Sequence, residues 1–253
     1  DPILVCGACT FCITGSSNMC LRGQVYGVQT DGGYAQFAVA PAEQLIALPE
    51  GMDYQSAAAV AVTGPTAWHM LHRRAGLRAG EDVLVIAAGS GIGVLAVQIA
   101  KLSGARVIAT AGSAEKLRQA QELGADHVVN HRDLDWPAQV RSWTGGRGVD
   151  LVFEHVGAAT WQGSLEALAG GHSGFDVSIN LWHLFVKEHT IIGSFAGSRQ
   201  DLNDVLRLVQ QGRIRPVVQE VFALDDVVRA QALLEDRQVF GKLLLDPQLT
   251  ASS

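Results

Sequence analysis

Asp82–Leu117 reads DVLVIAAGSGIGVLAVQIAKLSGARVIATAGSAEKL. It opens with an apolar run, Asp82–Ala87, turns through the glycine-rich Gly89–Gly93, and continues as Val94–Leu102 with apolar residues at 95, 99 and 102 before Gly104. The first run has the length of a buried strand, and the spacing after the turn is that of a helix. Arg106–Thr110 then predicts a second strand and Ala114–Leu123 a second helix closed by Gly124. His127–Asn130 and Val149–Glu154 follow as third and fourth strands. Strands alternating with short helices imply a parallel sheet with right-handed crossovers. The fold class is α/β, a doubly wound sheet.

The turn itself points to a ligand. Gly89, Ser90, Gly91, Ile92 and Gly93 stand where a strand hands over to a helix, and free N–H groups at a helix N-terminus favour a pyrophosphate. A strict G-x-G-x-x-G ending at Gly93 needs glycine at two places held here by Ala88 and Ser90, both small enough for close approach. NAD sites place a carboxylate at the tip of the second strand for the ribose 2′-hydroxyl. Here the tip is Thr110-Ala111-Gly112-Ser113, with Lys116 one helical turn on and no acid. Ser113 and Lys116, with Arg132 as a further candidate, suit a 2′-phosphate, so NADP(H) is expected rather than NAD(H). A plainer reading of Ser113 is a helix cap, and both roles are compatible.

Outward from this run, the four cysteines of the chain all lie in its first twenty residues: Cys6, Cys9, Cys12 and Cys20. Four thiolates at C-x2-C-x2-C-x7-C suit a tetrahedral zinc in a closed, structural site. A [4Fe–4S] cluster would want its fourth thiolate three residues on with proline next, where this chain has a gap of seven and then Leu21. Two disulfides fit the even count but not a reducing compartment, and a cytoplasmic location is expected. Net charge is −6 with no basic run, which argues against nucleic acid and anionic membrane as partners. Apolar runs end at glycine too soon to span a bilayer.

Between the cysteines and the sheet, Gly33–Val39 and Gln44–Leu48 alternate as strands do, and Thr66–Arg74 reads as a helix. Beyond Gly157 a helix to about Leu168, a strand at Thr190–Phe195, helices at Asp201–Gln211 and Asp225–Glu235 (N-cap Asp225), and a strand at Lys242–Leu245 complete the expectation. His69 and His72, at i and i+3, could form a metal pair, though surface or capping roles suit them better. Trp68 and Trp161 are expected to pack.

Four stretches together, CGACTFCITGSSNMC (Cys6–Cys20), TAWHML (Thr66–Leu71), the run quoted above and TGGRGVDLVFEHVG (Thr144–Gly157), resemble the medium-chain dehydrogenase/reductase superfamily. That group includes zinc alcohol dehydrogenases and quinone oxidoreductases. The resemblance implies a GroES-like, β-rich catalytic domain with the zinc loop ending near residue 60, a Rossmann domain over 61–195, and a return segment over 196–253. It implies Thr66 as the residue near the nicotinamide, His155 as a cofactor contact, Glu154 as structural or on a ribose, and a homodimer or homotetramer. Hydride would pass to or from a small-molecule carbonyl, enone, quinone or alcohol.

Three departures matter. The chain opens inside the first domain, so the usual upstream ligands of a catalytic zinc precede it. The position of a third such ligand is Val62, which cannot ligate. A sheet strand expected after Gly170-Gly171 is missing, the chain passing straight to His172-Ser173-Gly174. The expectation is an NADP(H)-dependent oxidoreductase with structural zinc only. The alternatives are a zinc alcohol dehydrogenase with its ligands upstream, and a dinucleotide-binding protein without chemistry.

Overall fold

The computed structural model describes residues 2–167, 178 and 190–250. The chain divides into two compact units, Asp1–His69 with Phe195–Ser253, and Met70–Ser194. Its strands, among the described residues, are β1 (Ile3–Leu4), β2 (Gln24–Val25), β3 (Asp82–Val85), β4 (Arg106–Ala111), β5 (His127–Asn130), β6 (Leu151–Phe153), β7 (Val218–Ala223) and β8 (Lys242–Asp246).

The second unit holds a parallel sheet in the order β5-β4-β3-β6. The apolar run of the sequence works as expected: all of β3 is buried, and Val83, Leu84 and Val85 are fully so. A parallel strand covered on both faces has no reason to alternate. Helices Gly93–Leu102, Ala114–Glu122, Trp136–Trp143 and Ala158–Leu165 connect and cover the strands. On one face Leu84, Ile86, Ile108, Val129 and Val152 meet Trp136 and Val140. Each such aliphatic side chain contributes about 1.5–3 kcal/mol relative to exposure.

The amino ends of the strands are tied by charge. Asp82, nearly buried, takes a two-pronged guanidinium bond from Arg106 at 2.5 and 2.7 Å, and Arg147 Nη2 donates to it at 2.6 Å. Arg147 also pairs with Asp150, which in turn accepts the Asp82 N–H at 2.8 Å. β3, β4 and the start of β6 are thereby fastened at one end. Strand order reverses around β3, so the connections leaving β3 and β6 run to opposite sides, and the carboxyl ends of these two paired strands mark the switch point where open α/β sheets form a binding crevice.

In the first unit, helix Arg199–Gln210 begins with a capping box between Ser198 and Asp201, and buries Leu202, Val205 and Leu206. It packs closely on helix Thr63–Trp68; a Cβ on Gly64 would stand 2.7 Å from Val205 Cγ1. β7 and β8 pair in parallel, and β1 pairs antiparallel with β2, the cysteine loop lying between those two. Helix Tyr54–Val60 starts at Asp53, whose carboxylate accepts the Ser56 N–H at 2.7 Å.

Several expectations fail. Gly33–Val39 is not a strand; Phe37 and Val39 are about nine-tenths exposed, and no described strand lies beside them to supply ladder bonds. Gln44–Leu48 is not one either, because the Glu43 and Leu45 carbonyls accept from Arg199 at 2.7 and 2.5 Å. Thr190–Phe195 makes no ladder: Gly193 O is taken by Arg74 Nε at 2.9 Å, and a cavity of about 340 Å³ is lined by Thr190, Ile192 and Ser194 together with β6. The helix expected at Thr66 starts at Thr63 and continues from His69 to Arg74 with π geometry. Leu224–Asp226 forms a 3-10 turn, so Asp226 rather than Asp225 precedes helix Val227–Glu235. The missing strand after Gly170-Gly171 lies outside the described residues. Among those residues, no helix is long and apolar enough to cross a membrane.

Candidate functional site

The glycine turn is built by close packing. Ala87 sits in the left-handed region at φ 49°, a conformation that costs a residue with a Cβ about 1–2 kcal/mol. Thr110 holds it there: its Oγ1 accepts the Ala87 N–H at 3.1 Å and its carbonyl accepts the Ala88 N–H at 2.7 Å. A Cβ on Gly93 would stand 2.5 Å from Ala87 O, 2.8 Å from Ala88 Cα and 2.9 Å from Ser90 Oγ. Helix and turn therefore touch backbone to backbone, the requirement that the sequence motif encodes.

Ser90, where a strict motif has glycine, works as a cap: its Oγ accepts the Gly93 N–H at 2.9 Å. His155, at the end of β6, reaches across to Ile86 O at 3.0 Å and to Ser90 Oγ at 3.2 Å through the same Nε2. A carbonyl oxygen only accepts, so that nitrogen carries a proton. Ser90 keeps its own hydroxyl proton to give. The N–H groups of Gly91 and Ile92 have no hydrogen-bond partner among the described residues. Two amides and a hydroxyl thus converge at a helix N-terminus, and the packed cradle fits a pyrophosphate.

At the tip of β4, Ser113 Oγ accepts the Lys116 N–H at 3.4 Å and caps helix Ala114–Glu122. Arg132, just after β5, lies over this tip: a Cβ on Gly112 would lie 3.0 Å from its Nε. Beside it is His131, which sequence reasoning passed over; that Cβ would lie 3.2 Å from His131 Nε2, while Nδ1 is 3.1 Å from Thr110 Oγ1. No spacing rule points to His131. The absence of a side chain at Gly112 is the one signal.

Glu154 is structural. It is buried, accepts N–H groups from Val156 at 2.6 Å and Gly157 at 3.1 Å, and accepts the hydroxyls of Thr160 at 2.8 Å and Ser164 at 2.5 Å. Four donors use its capacity and leave nothing for a ribose. His69 and His72 do not form a metal pair: His69 Nδ1 bonds buried Asp201 at 2.9 Å, and His72 Nε2 lies 3.2 Å from Ser103 Oγ. Trp161 packs in a buried position. Thr66, in the first unit, donates its hydroxyl back to Val62 O at 2.7 Å, and the Val62 side chain is exposed.

The cysteine loop gathers its sulfurs. Cys9 to Cys12 and Cys20 to Cys6 are 3.5 Å apart, and Cys6 to Cys12 and Cys9 to Cys20 are 3.9 Å apart. A tetrahedral zinc with Zn–S of about 2.3 Å has an S–S edge of about 3.8 Å. All four are free thiols well beyond bonding distance, so a disulfide framework is not present. The Cys6 and Arg22 N–H groups point at Cys20 Sγ from 3.3 and 3.4 Å. Backbone N–H groups of Ala8 and Cys9 bring the Cys6 thiol down to about 5, whereas burial and the neighbouring thiols of Cys9 and Cys20 push Cys12 up to about 12. The donor set and spacing fit one zinc.

With these geometries in place, likeness to known proteins can be weighed. Residues 91–211 match the zinc-binding dehydrogenase family, and residues 1–50 match the alcohol dehydrogenase GroES-like domain. An NAD-dependent alcohol dehydrogenase of Sulfolobus acidocaldarius is 31% identical over 97% of this chain and 73% of its own length. A quinone oxidoreductase of Pseudomonas aeruginosa is 32% identical over 85% of this chain and 72% of its own. The crystal structure of an NAD-dependent alcohol dehydrogenase superposes with a TM-score of 0.91 at 44% identity, over 97% of this chain and 74% of that one. By these matches the chain belongs to the medium-chain dehydrogenase/reductase superfamily of oxidoreductases, with its α/β Rossmann and GroES-like fold.

Proposed function

We propose that the chain is an NADP(H)-dependent oxidoreductase acting on a carbonyl, enone or quinone, with zinc held structurally by Cys6, Cys9, Cys12 and Cys20. The observation that carries the cofactor choice is the β4 tip, Thr110–Ser113, which has no acid and over which Arg132 lies at Gly112, with Lys116 in the first turn of the helix that Ser113 caps. A carboxylate there would repel a 2′-phosphate, whereas a guanidinium recognises one through paired N–H groups. NADPH, when bound, supplies the hydride. The protein's part is orientation: Gly91, Ile92 and the Ser90 hydroxyl bind the pyrophosphate, and His155 fixes Ser90 by joining the ends of β3 and β6. Val62 as an apolar residue supports chemistry without a catalytic zinc, and Thr66 is the residue assigned to the reacting end by resemblance. Free thiols support a reducing, cytoplasmic setting, and assembly as a dimer or tetramer is part of the same reading.

The relatives named as NAD-dependent favour the other cofactor. Equilibrium titration with NADPH and NADH, followed by turnover of an enone and a simple ketone, decides between them. Tighter NADPH binding supports the proposal; tighter NADH binding overturns it. Metal analysis giving two zincs per chain, with activity tied to the more labile one, overturns the structural-only role.

A further inference from the structure

The tip of β4 carries a second basic side chain beside Arg132. His131 and Arg132 both lie over Gly112, at 3.2 and 3.0 Å from where its Cβ would stand. The His131 ring is held from behind by Thr110, a fully buried residue whose Oγ1 lies 3.1 Å from Nδ1 and also accepts the Ala87 N–H of the glycine turn. One hydroxyl therefore links the pyrophosphate turn to the imidazole, and Nε2 is the ring atom turned toward the strand tip. A Cβ at position 112 would press on both His131 and Arg132.

We propose that His131 is a second ligand of the cofactor's 2′-phosphate and that it binds as the imidazolium, so that NADP(H) binding takes up a proton. This rests on the NADP(H) reading of the same tip. The surrounding charges are these: Arg132 and Asp133 on its own loop, Asp135 just beyond, and Glu115, paired with Arg118, and Lys116 in the first turn of the helix after Ser113. The glycine turn, Ala87–Gly93, and the β4 tip, Thr110–Ser113, carry no titratable group. A free imidazole titrates near ~6.5, and a dianion beside it raises that value by about one unit or more. The sign follows. The bound state holds the proton more tightly than the free state, so affinity for the phosphorylated cofactor rises as pH falls from about 8 toward 6.5. Below about 6 the phosphate itself begins to protonate and the gain levels off. NAD(H), with a neutral hydroxyl in that place, has no such dependence.

Calorimetric titration of the native chain with NADP⁺ and NAD⁺ at pH 7, repeated in buffers of different ionisation enthalpy, reads the proton directly. Expected is uptake of about half a proton with NADP⁺, from a shift of one unit around neutrality, and none with NAD⁺. The NADP⁺ to NAD⁺ affinity ratio should rise about 3- to 10-fold between pH 8 and 6.5, and His131→Gln should flatten that rise and remove the uptake. Deprotonation of the phosphate on entering a basic site would release protons, the opposite sign. NADP⁺ preferred with release, or with no uptake, overturns the role of His131 and leaves the cofactor assignment standing. NAD⁺ bound as tightly as NADP⁺ overturns both. The uptake measurement needs no variant, so it decides even if His131→Gln fails to fold.

Discussion

Replacing Gly93 by alanine tests the dinucleotide cradle most sharply. The new Cβ would fall 2.5 Å from Ala87 O, 2.8 Å from Ala88 Cα and 2.9 Å from Ser90 Oγ. Relaxed contacts between such atoms are about 3.5 Å, so the gap must open by about 1 Å. Two of the three neighbours are backbone, and Ala87 is already pinned in the left-handed region by Thr110. No flexible side chain can absorb the strain by swinging aside. Overpacking of this kind costs about 1–3 kcal/mol, and for a unit of this size each kcal/mol is about 3–6 °C in Tm. Opening the turn also moves the Gly91 and Ile92 amides. Losing one hydrogen bond to a charged phosphate costs about 1.5–3 kcal/mol, or roughly 10- to 150-fold in affinity. The assay is thermal unfolding of Gly93→Ala beside a fluorescence titration with NADPH. A melting temperature within 1–2 °C of native and an affinity within about twofold would refute the reasoning.

Three further outcomes follow from the geometry. Arg132→Gln should weaken NADPH about 10- to 150-fold while leaving NADH within about threefold, because only the phosphorylated cofactor loses a charge-assisted bond; equal weakening of both would remove Arg132 from the 2′ site. One zinc per chain should be found by elemental analysis, and Cys9→Ser should lose it while NADPH affinity stays within about threefold, since the thiols belong to the first compact unit and the cradle to the second. Asp150 is held below the ordinary aspartate range by Arg147 and by the Asp82 N–H. Its stabilisation is complete above about pH 4 and fades as pH falls through the folded value, so Asp150→Asn should flatten the acid limb of the Tm profile by about 0.5–1 kcal/mol. An unchanged limb would show that other carboxylates govern it.

The sheet was readable because its physics is local. β3 and β4 are apolar runs bounded by glycine, and Ser113 sits where a cap belongs. Cysteine clustering needed only four positions in one loop, and the sulfurs do converge. What escaped depended on partners distant in the chain. Gly33–Val39 has a strand's alternation, yet alternation alone brings no neighbour. Thr190–Phe195 has a strand's composition, but Arg74 takes one of its carbonyls. Helix Trp136–Trp143 carried a signal that went unused: Pro137 in its first turn marks a start, not a break. Ser90 looked like a defect in a glycine motif and is instead the cap of the helix that the motif opens. Glu154 could not be separated from a ribose ligand by sequence, because whether the turn and the helix after it aim Val156, Gly157, Thr160 and Ser164 back at its carboxylate is a matter of geometry.

The Asp82, Arg106, Arg147 and Asp150 clamp bears on how such a protein changes over generations. It fastens the amino ends of the strands, while the glycine turn after β3 and the tip of β4 stand at their carboxyl ends. Changes at positions 116 and 132 leave that clamp untouched, whereas Ser113 also caps a helix and His131 also bonds Thr110. If the proposed 2′ site is right, a lineage can drift between dinucleotides at the β4 tip without disturbing the clamp. The same separation makes the tip a small library for testing the proposed cofactor choice, best built with Gly112 kept so that no Cβ presses on His131 and Arg132.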